Sequence, residues 1–159
     1  MQNLNYVRNI ASQEAISTYN TEDLPPTAVM QTAWVINSDS LSVRLVWSIG
    51  HKPLLLFYFA EIQTLNMSES RSLYVTINGE TGSEIITLVR NYSAIELTLL
   101  PIQADIFSVM KAPGSTRPPI LNAFEYNWLY ATDQATYSQD GKYLSKIFVL
   151  KLHILSFNV

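Results

Sequence analysis

The sequence predicts an all-β fold, an antiparallel β-sandwich, and three observations carry the prediction. Short apolar runs recur along the chain, and several of them alternate with polar residues at the period of a half-buried strand. Turn signals separate these runs at roughly ten-residue spacing, as in sandwiches and barrels. No strand–helix alternation appears, which disfavours a parallel α/β sheet. The 159 residues suit one domain, and a chain of that length can bury a substantial core.

Met1 to Asp23 carries no strong period, and a short helix or loop is expected around Ser12–Ser17. Asp23-Leu-Pro-Pro26 punctuates the chain, because each proline fixes its own φ and drives the residue before it extended. Thr27 to Ile36 then reads as a strand and Asn37–Ser40 as a turn. Leu41, Val43, Leu45 and Trp47 alternate with Ser42, Arg44 and Ser48, giving a half-buried strand with one wet face. Leu54 to Ile62 is apolar on both faces and is expected to be a central strand covered on both sides.

Leu73, Val75 and Ile77 share one face of the next strand, over Ser72–Ile77. Asn78-Gly79 suits a turn with positive φ, although the loop is expected to extend through Gly82 before a strand over Ser83–Val89. Ile95–Leu99 and Ile102–Val109 form two further alternations. Lys111 to Pro119 holds three prolines and Gly114 and must be loop, and Ile120 to Tyr130 is an aromatic-rich closing strand.

Composition excludes several functions. Hydrophobic residues make up 48% and charged residues 14%, the latter low against a typical ~25%, so the chain reads as folded. A net charge of −3 with scattered basic residues offers no face for nucleic acid. The chain has no cysteine, which removes disulfides, thiolate metal sites and a Cys nucleophile. Its two histidines, His51 and His153, are not spaced to bind a metal, and no Gly-x-Ser-x-Gly elbow or phosphate-binding loop exists. Asp23, Asp39 and Asp105 are too dispersed for a calcium loop. No cofactor is expected.

Met1–Tyr19 lacks the apolar centre of a signal peptide, so an extracellular protein would have this chain as an internal or truncated piece. The best apolar run, Ile147 to Phe157, is about half of the ~20 residues a membrane helix needs and contains Lys151 and His153. Direct membrane insertion is not expected.

Glycoside hydrolysis needs two carboxylates roughly 5–10 Å apart, and Glu61 and Glu125 lie in aromatic strands. The structural reading fits them better, since each punctuates a strand where a carboxylate accepts hydrogen bonds. The aromatic inventory of nine Tyr, six Phe and three Trp is large. Such rings can stack on sugars and hydrogen-bond their hydroxyls, and Trp34 and Tyr92 are the loop-proximal candidates for ligand contact. Asn66-Met-Ser68 and Asn91-Tyr-Ser93 are N-glycosylation sequons, so Asn66 and Asn91 are expected acceptors in a secretory setting.

Four segments together resemble one family. Pro25–Ala33 (PPTAVMQTA) resembles the start of the second half of plant malectin-like ectodomains, Phe57–Ile62 (FYFAEI) its hFAEI strand, Glu69–Gly79 (ESRSLYVTING) its ETREF-x-I-x-x-NG segment with Ser70 in place of Thr, and Pro118–Glu125 (PPILNAFE) its closing PPILNA-x-E strand. The resemblance implies a malectin-type, jelly-roll sandwich, usually one of two in tandem, outside the cell on leucine-rich-repeat receptor-like kinases. It implies non-catalytic recognition of carbohydrate such as cell-wall glycan, with a protein- or peptide-interaction module as the alternative, and a tandem malectin unit or co-receptor as partner. Any kinase activity would belong to another part of such a receptor, and no binding residues transfer from the family.

The expected organisation is a lead-in over residues 1–24, the sandwich over 25–132 and a divergent tail over 133–159. Gly141-Lys-Tyr143 can be encoded by GGT-AAG-TAT, which contains a GTAAGT splice donor. Residues 141–159 are therefore read either as translated intron or as a true final strand or helix.

Overall fold

The computed structural model describes residues 7–36, 38–44, 53–89, 93–99, 106–131, 136–137, 143–144 and 147–152, with backbone only at 36, 53 and from 126 onward. The described elements are β1 (Val7–Ala11), α1 (Thr27–Met30), β2 (Thr32–Ile36), β3 (Ser40–Arg44), β4 (Pro53–Phe59), β5 (Arg71–Ile77), β6 (Glu80–Thr81), β7 (Ile86–Leu88) and β8 (Ile95–Leu99). They continue as β9 (Ile106–Lys111), β10 (Ile120–Leu121), β11 (Ala123–Ala131), β12 (Thr136–Tyr137), β13 (Tyr143–Leu144) and β14 (Ile147–Leu152).

Two sheets face each other. One runs β14-β11-β4-β8, and the other runs β3-β9-β5-β6 with β7 also on β5. The pairings between these strands are antiparallel. A third sheet, β1-β2-β10, and the β12-β13 pair complete the described set. Phe57 of β4 meets Phe107 of β9 edge-on at 4.8 Å between ring centroids, and Phe107 meets Phe124 of β11 at 5.1 Å. These contacts place the core between the two larger sheets, with Leu55, Phe59, Leu73, Val75 and Val109 buried around them. The all-β expectation holds.

β4 is the central strand that its sequence predicts, since it lies between β11 and β8 and Leu55 to Phe59 are all buried. Other elements differ from expectation, each for a local reason. Thr27–Met30 is one turn of helix and not the start of a strand. Pro26, whose ring holds φ near the helical value, offers its carbonyl to the amides of Val29 and Met30 at 2.9 and 3.2 Å, and Gln31 N–H closes the turn on Thr27 O. Of the two forms expected for Ser12–Ser17, helix or loop, the chain takes the loop, and Ser17 bridges to Ser93. Residues 7–11, from the lead-in, form β1 on the edge of β2.

The Asn78-Gly79 turn has two residues and does not extend through Gly82. Ile77 pairs directly with Glu80, and the φ values of +50° and +86° are those of a type I′ hairpin. The expected strand over Ser83–Val89 shortens to β7, because Ser83 Oγ takes the Val75 amide at 2.9 Å and Gly82 N–H takes the Val75 carbonyl, so the chain leaves the ladder there. The closing strand splits at Asn122. β10 pairs with β2, then the chain changes sheets and β11 pairs with β4 and β14. The stretch after Gly141 contributes β14, which runs antiparallel to β11 from Tyr126↔Leu152 to Ala131↔Ile147.

Candidate recognition site

Three of the sequence segments converge on one buried ion pair. Arg71, the first residue of β5, has a fully buried side chain, as does Glu61 just beyond β4. Arg71 Nη1 donates to both Glu61 oxygens at 2.7 and 2.8 Å, Nη2 donates to Gln63 Oε1 at 2.9 Å, and Nε donates to the Pro118 carbonyl at 2.9 Å. Glu61 Oε1 also accepts the Gln63 amide at 2.9 Å. Burial pushes the Arg71 guanidinium below its ordinary value, and the Glu61 carboxylate pushes it back up. Charges this deep are tolerated only when their bonding is this complete.

Asn122 works beside this clamp. Its carboxamide donates to the carbonyls of Met30 and Thr32 at 3.0 and 3.1 Å and accepts the Ala60 amide at 2.8 Å. It thereby ties α1, β2 and the end of β4 to the β10–β11 crossing.

Glu61 is therefore a structural acceptor and not a catalytic acid. Glu125, on β11 opposite Leu56, is also buried. It lies near Tyr58, whose phenol is pushed up by burial first and then by the carboxylates of Glu125, Glu96 and Asp23. Neither glutamate is placed to work on a substrate from solvent.

The clamp fixes loops that meet at one end of the sandwich. Arg117 Nη2 bridges Glu69 at 2.8 Å, and Glu69 Oε2 in turn accepts the Asn66 amide at 3.0 Å. Thr116 Oγ1 accepts the Ser70 amide at 2.8 Å. Gly114, at φ +81°, makes the turn that brings this segment back. From the other side, Lys111 N–H donates to Asp39 O at 2.7 Å, and Lys111 Nζ lies 3.4 Å from Asp39 Oδ1. Ser38, Asp39, Lys111, Thr116 and Pro118 line a shallow cleft of about 260 Å³ between these segments. Among the described residues its lining mixes the hydroxyls of Ser38 and Thr116 with the charges of Lys111 and Asp39, which suits hydrogen bonding and charge pairing.

The predicted site residues are distributed differently. Trp34 sits in β2 opposite Asn9 and Leu121, is half-buried against the core and does not line the cleft. Asn66 is exposed on the loop beyond Glu61. Tyr92, Asn91, His51 and His153 lie outside the described residues. Among the described residues, no cluster of His, Asp and Glu could hold a metal and no helix is long and apolar enough to cross a membrane. Sequence reasoning gave no role to Arg71 or Asn122 beyond their place in a motif, and it did not pair Asp39 with Lys111.

A family model for the malectin-like domain matches residues 2–128. The chain is 32% identical over 118 residues to the probable LRR receptor-like serine/threonine-protein kinase At1g51820 of Arabidopsis thaliana, covering 69% of this chain and 13% of that protein. It is 30% identical over 141 residues to the probable LRR receptor-like serine/threonine-protein kinase MEE39 of the same plant, covering 84% of this chain and 16% of that one. Among solved structures, it resembles a chain in the crystal structure of the plant peptide RALF23 in complex with FER and LLG2. That likeness has a TM-score of 0.60 at 16% identity and covers 80% of this chain and 42% of the other.

Proposed function

The chain belongs to the malectin-like domain family, whose fold is a binding module and not a catalytic one, and we propose that it recognises a peptide or protein surface as part of a receptor-kinase ectodomain outside the cell. The cleft carries this reading. A donor–acceptor lining with Lys111 and Asp39 side by side can meet main-chain amides and carbonyls together with side chains of either sign. The fold likeness to a chain crystallised with RALF23, FER and LLG2 supports a peptide or co-receptor partner. The kinase relatives, of whose length the chain spans 13–16%, support the proposed extracellular placement and anchoring through another part of a receptor.

Carbohydrate recognition is the second reading. The hydroxyls of Ser38 and Thr116 and the carboxylate of Asp39 are groups that can hydrogen-bond a glycan. The adjacent charges of Lys111 and Asp39, and the fold likeness to a chain crystallised with a peptide, place this reading second. Both are tested by presenting the purified chain to a cell-wall glycan array and to a panel of synthetic peptides that includes RALF23. Binding to peptide that weakens about tenfold in Asp39→Ala or Lys111→Ala, a loss of ~1.4 kcal/mol, supports the first reading. Binding to glycan alone replaces it with the second.

A further inference from the structure

The sequon Asn66-Met67-Ser68 takes no part in the clamp or in the lining of the cleft, yet the fold presents it in a specific way. Glu69 N–H donates to Asn66 O at 2.9 Å, and Asn66 N–H donates to Glu69 Oε2 at 3.0 Å. These two bonds close a tight turn. Arg117 holds the Glu69 carboxylate at 2.8 Å, so the turn is anchored to the segment that carries Thr116 and Pro118. At its tip Asn66 and Ser68 are exposed, and Met67 is fully exposed. Among the described residues no hydrogen bond engages the Asn66 carboxamide or the Ser68 hydroxyl. The Met67 thioether stands in solvent on this tethered loop, open to oxidants.

We propose that Asn66 is an N-glycan acceptor and that its glycan shields the Met67 turn beside the cleft. The inference rests on the extracellular part of the reading above, because the donor is met in the secretory pathway. The donor class is a polyprenyl-diphosphate oligosaccharide. Asn66 Nδ2 attacks the anomeric carbon of the reducing-end sugar, the new N–C bond forms as the C–O bond to diphosphate breaks, the polyprenyl diphosphate leaves, and one amide proton passes to base. No electrons are exchanged with an oxidant or reductant. Ser68 supplies the hydroxyl that the sequon requires, and the exposed tip gives a bulky glycan room in the folded chain.

The test uses the full chain carrying an added signal peptide and a C-terminal control sequon, translated with microsomes, with Asn91→Gln as background. Only molecules glycosylated at the control site are scored. The expected result is one further glycan on the peptide that contains Asn66. It should be lost in Asn66→Gln, Ser68→Ala and Met67→Pro and retained in Ser68→Thr. An unmodified Asn66 in molecules bearing the control glycan overturns the assignment and leaves the ectodomain reading standing. Shielding is read separately, from the rate at which peroxide converts Met67 to its sulfoxide in the native protein. That rate should rise several-fold once the glycan is enzymatically removed, and an unchanged rate overturns the shielding role.

Discussion

Glu61 with Arg71 and Asp39 with Lys111 are the same chemistry in opposite surroundings. In the first pair both side chains are fully buried and the contact is 2.7 Å; in the second the side chains are 29% exposed on Lys111 and 82% exposed on Asp39, at 3.4 Å. Arg71 spends its donors on Glu61, Gln63 and Pro118, so it joins two loops and is closed to any ligand. Lys111 and Asp39 are held mainly by their backbone bond, which leaves their charged ends available at the cleft. The first pair builds the platform and the second is the contact proposed for a partner.

The largest effect that could break this contrast is on stability at Arg71. Arg71→Ala leaves the Glu61 carboxylate buried without its partner and should cost about 3–5 kcal/mol, read as a lowered urea midpoint. The double variant Glu61→Leu/Arg71→Met, which removes both charges, should lose much less; an equal loss would show that packing and not charge pairing governs the site. Asn122→Ala should come next. It strands the Ala60 amide and removes the donors to Met30 and Thr32, at about 1–3 kcal/mol for each buried group left unsatisfied.

A smaller effect is expected at the loop around Glu69. Its carboxyl is held below the usual range by the Asn66 amide and then by Arg117. A carboxyl lowered in the folded state stabilises above its unfolded value of about 4.3, and that contribution disappears as pH falls through the folded value. Hydrogen-exchange protection at the Asn66 amide, corrected for intrinsic rate, should therefore hold at neutral pH and fall in the acid window below about 4.3. In Glu69→Gln it should show no such step. The smallest effect on stability belongs to Asp39→Ala and Lys111→Ala, which should stay within ~0.5 kcal/mol of the parent chain in urea unfolding.

What the sequence revealed follows the same divide between buried and exposed groups. β4 was legible because a run buried on both faces leaves no polar interruption. β1 was not, because Val7, Arg8 and Asn9 are all exposed on an edge strand and carry no period. The helical turn at Thr27–Met30 hid inside a β-prone run, and the bonds to the Pro26 and Thr27 carbonyls reveal it. The Asn78-Gly79 turn was visible, but its length was not, since the departure from the ladder depends on where the Ser83 hydroxyl lands.

The site was harder to read. An arginine at the head of an alternating strand looks like a solvent-facing residue, and its burial follows from Glu61 and Pro118 reaching it from two other segments. Asp39 and Lys111 become neighbours only through the β3–β9 register, which sets Ser40 against Met110. Trp34 looked available beside a turn, but its β2 position packs it against the core.

The division between platform and contact surface is tested most directly by binding of the Asp39→Ala/Lys111→Ala double variant to the peptide panel and the glycan array, beside the parent chain. The account predicts that the variant keeps the parent's unfolding midpoint and loses peptide binding by about tenfold or more. Undiminished peptide binding by a variant that remains folded would contradict it.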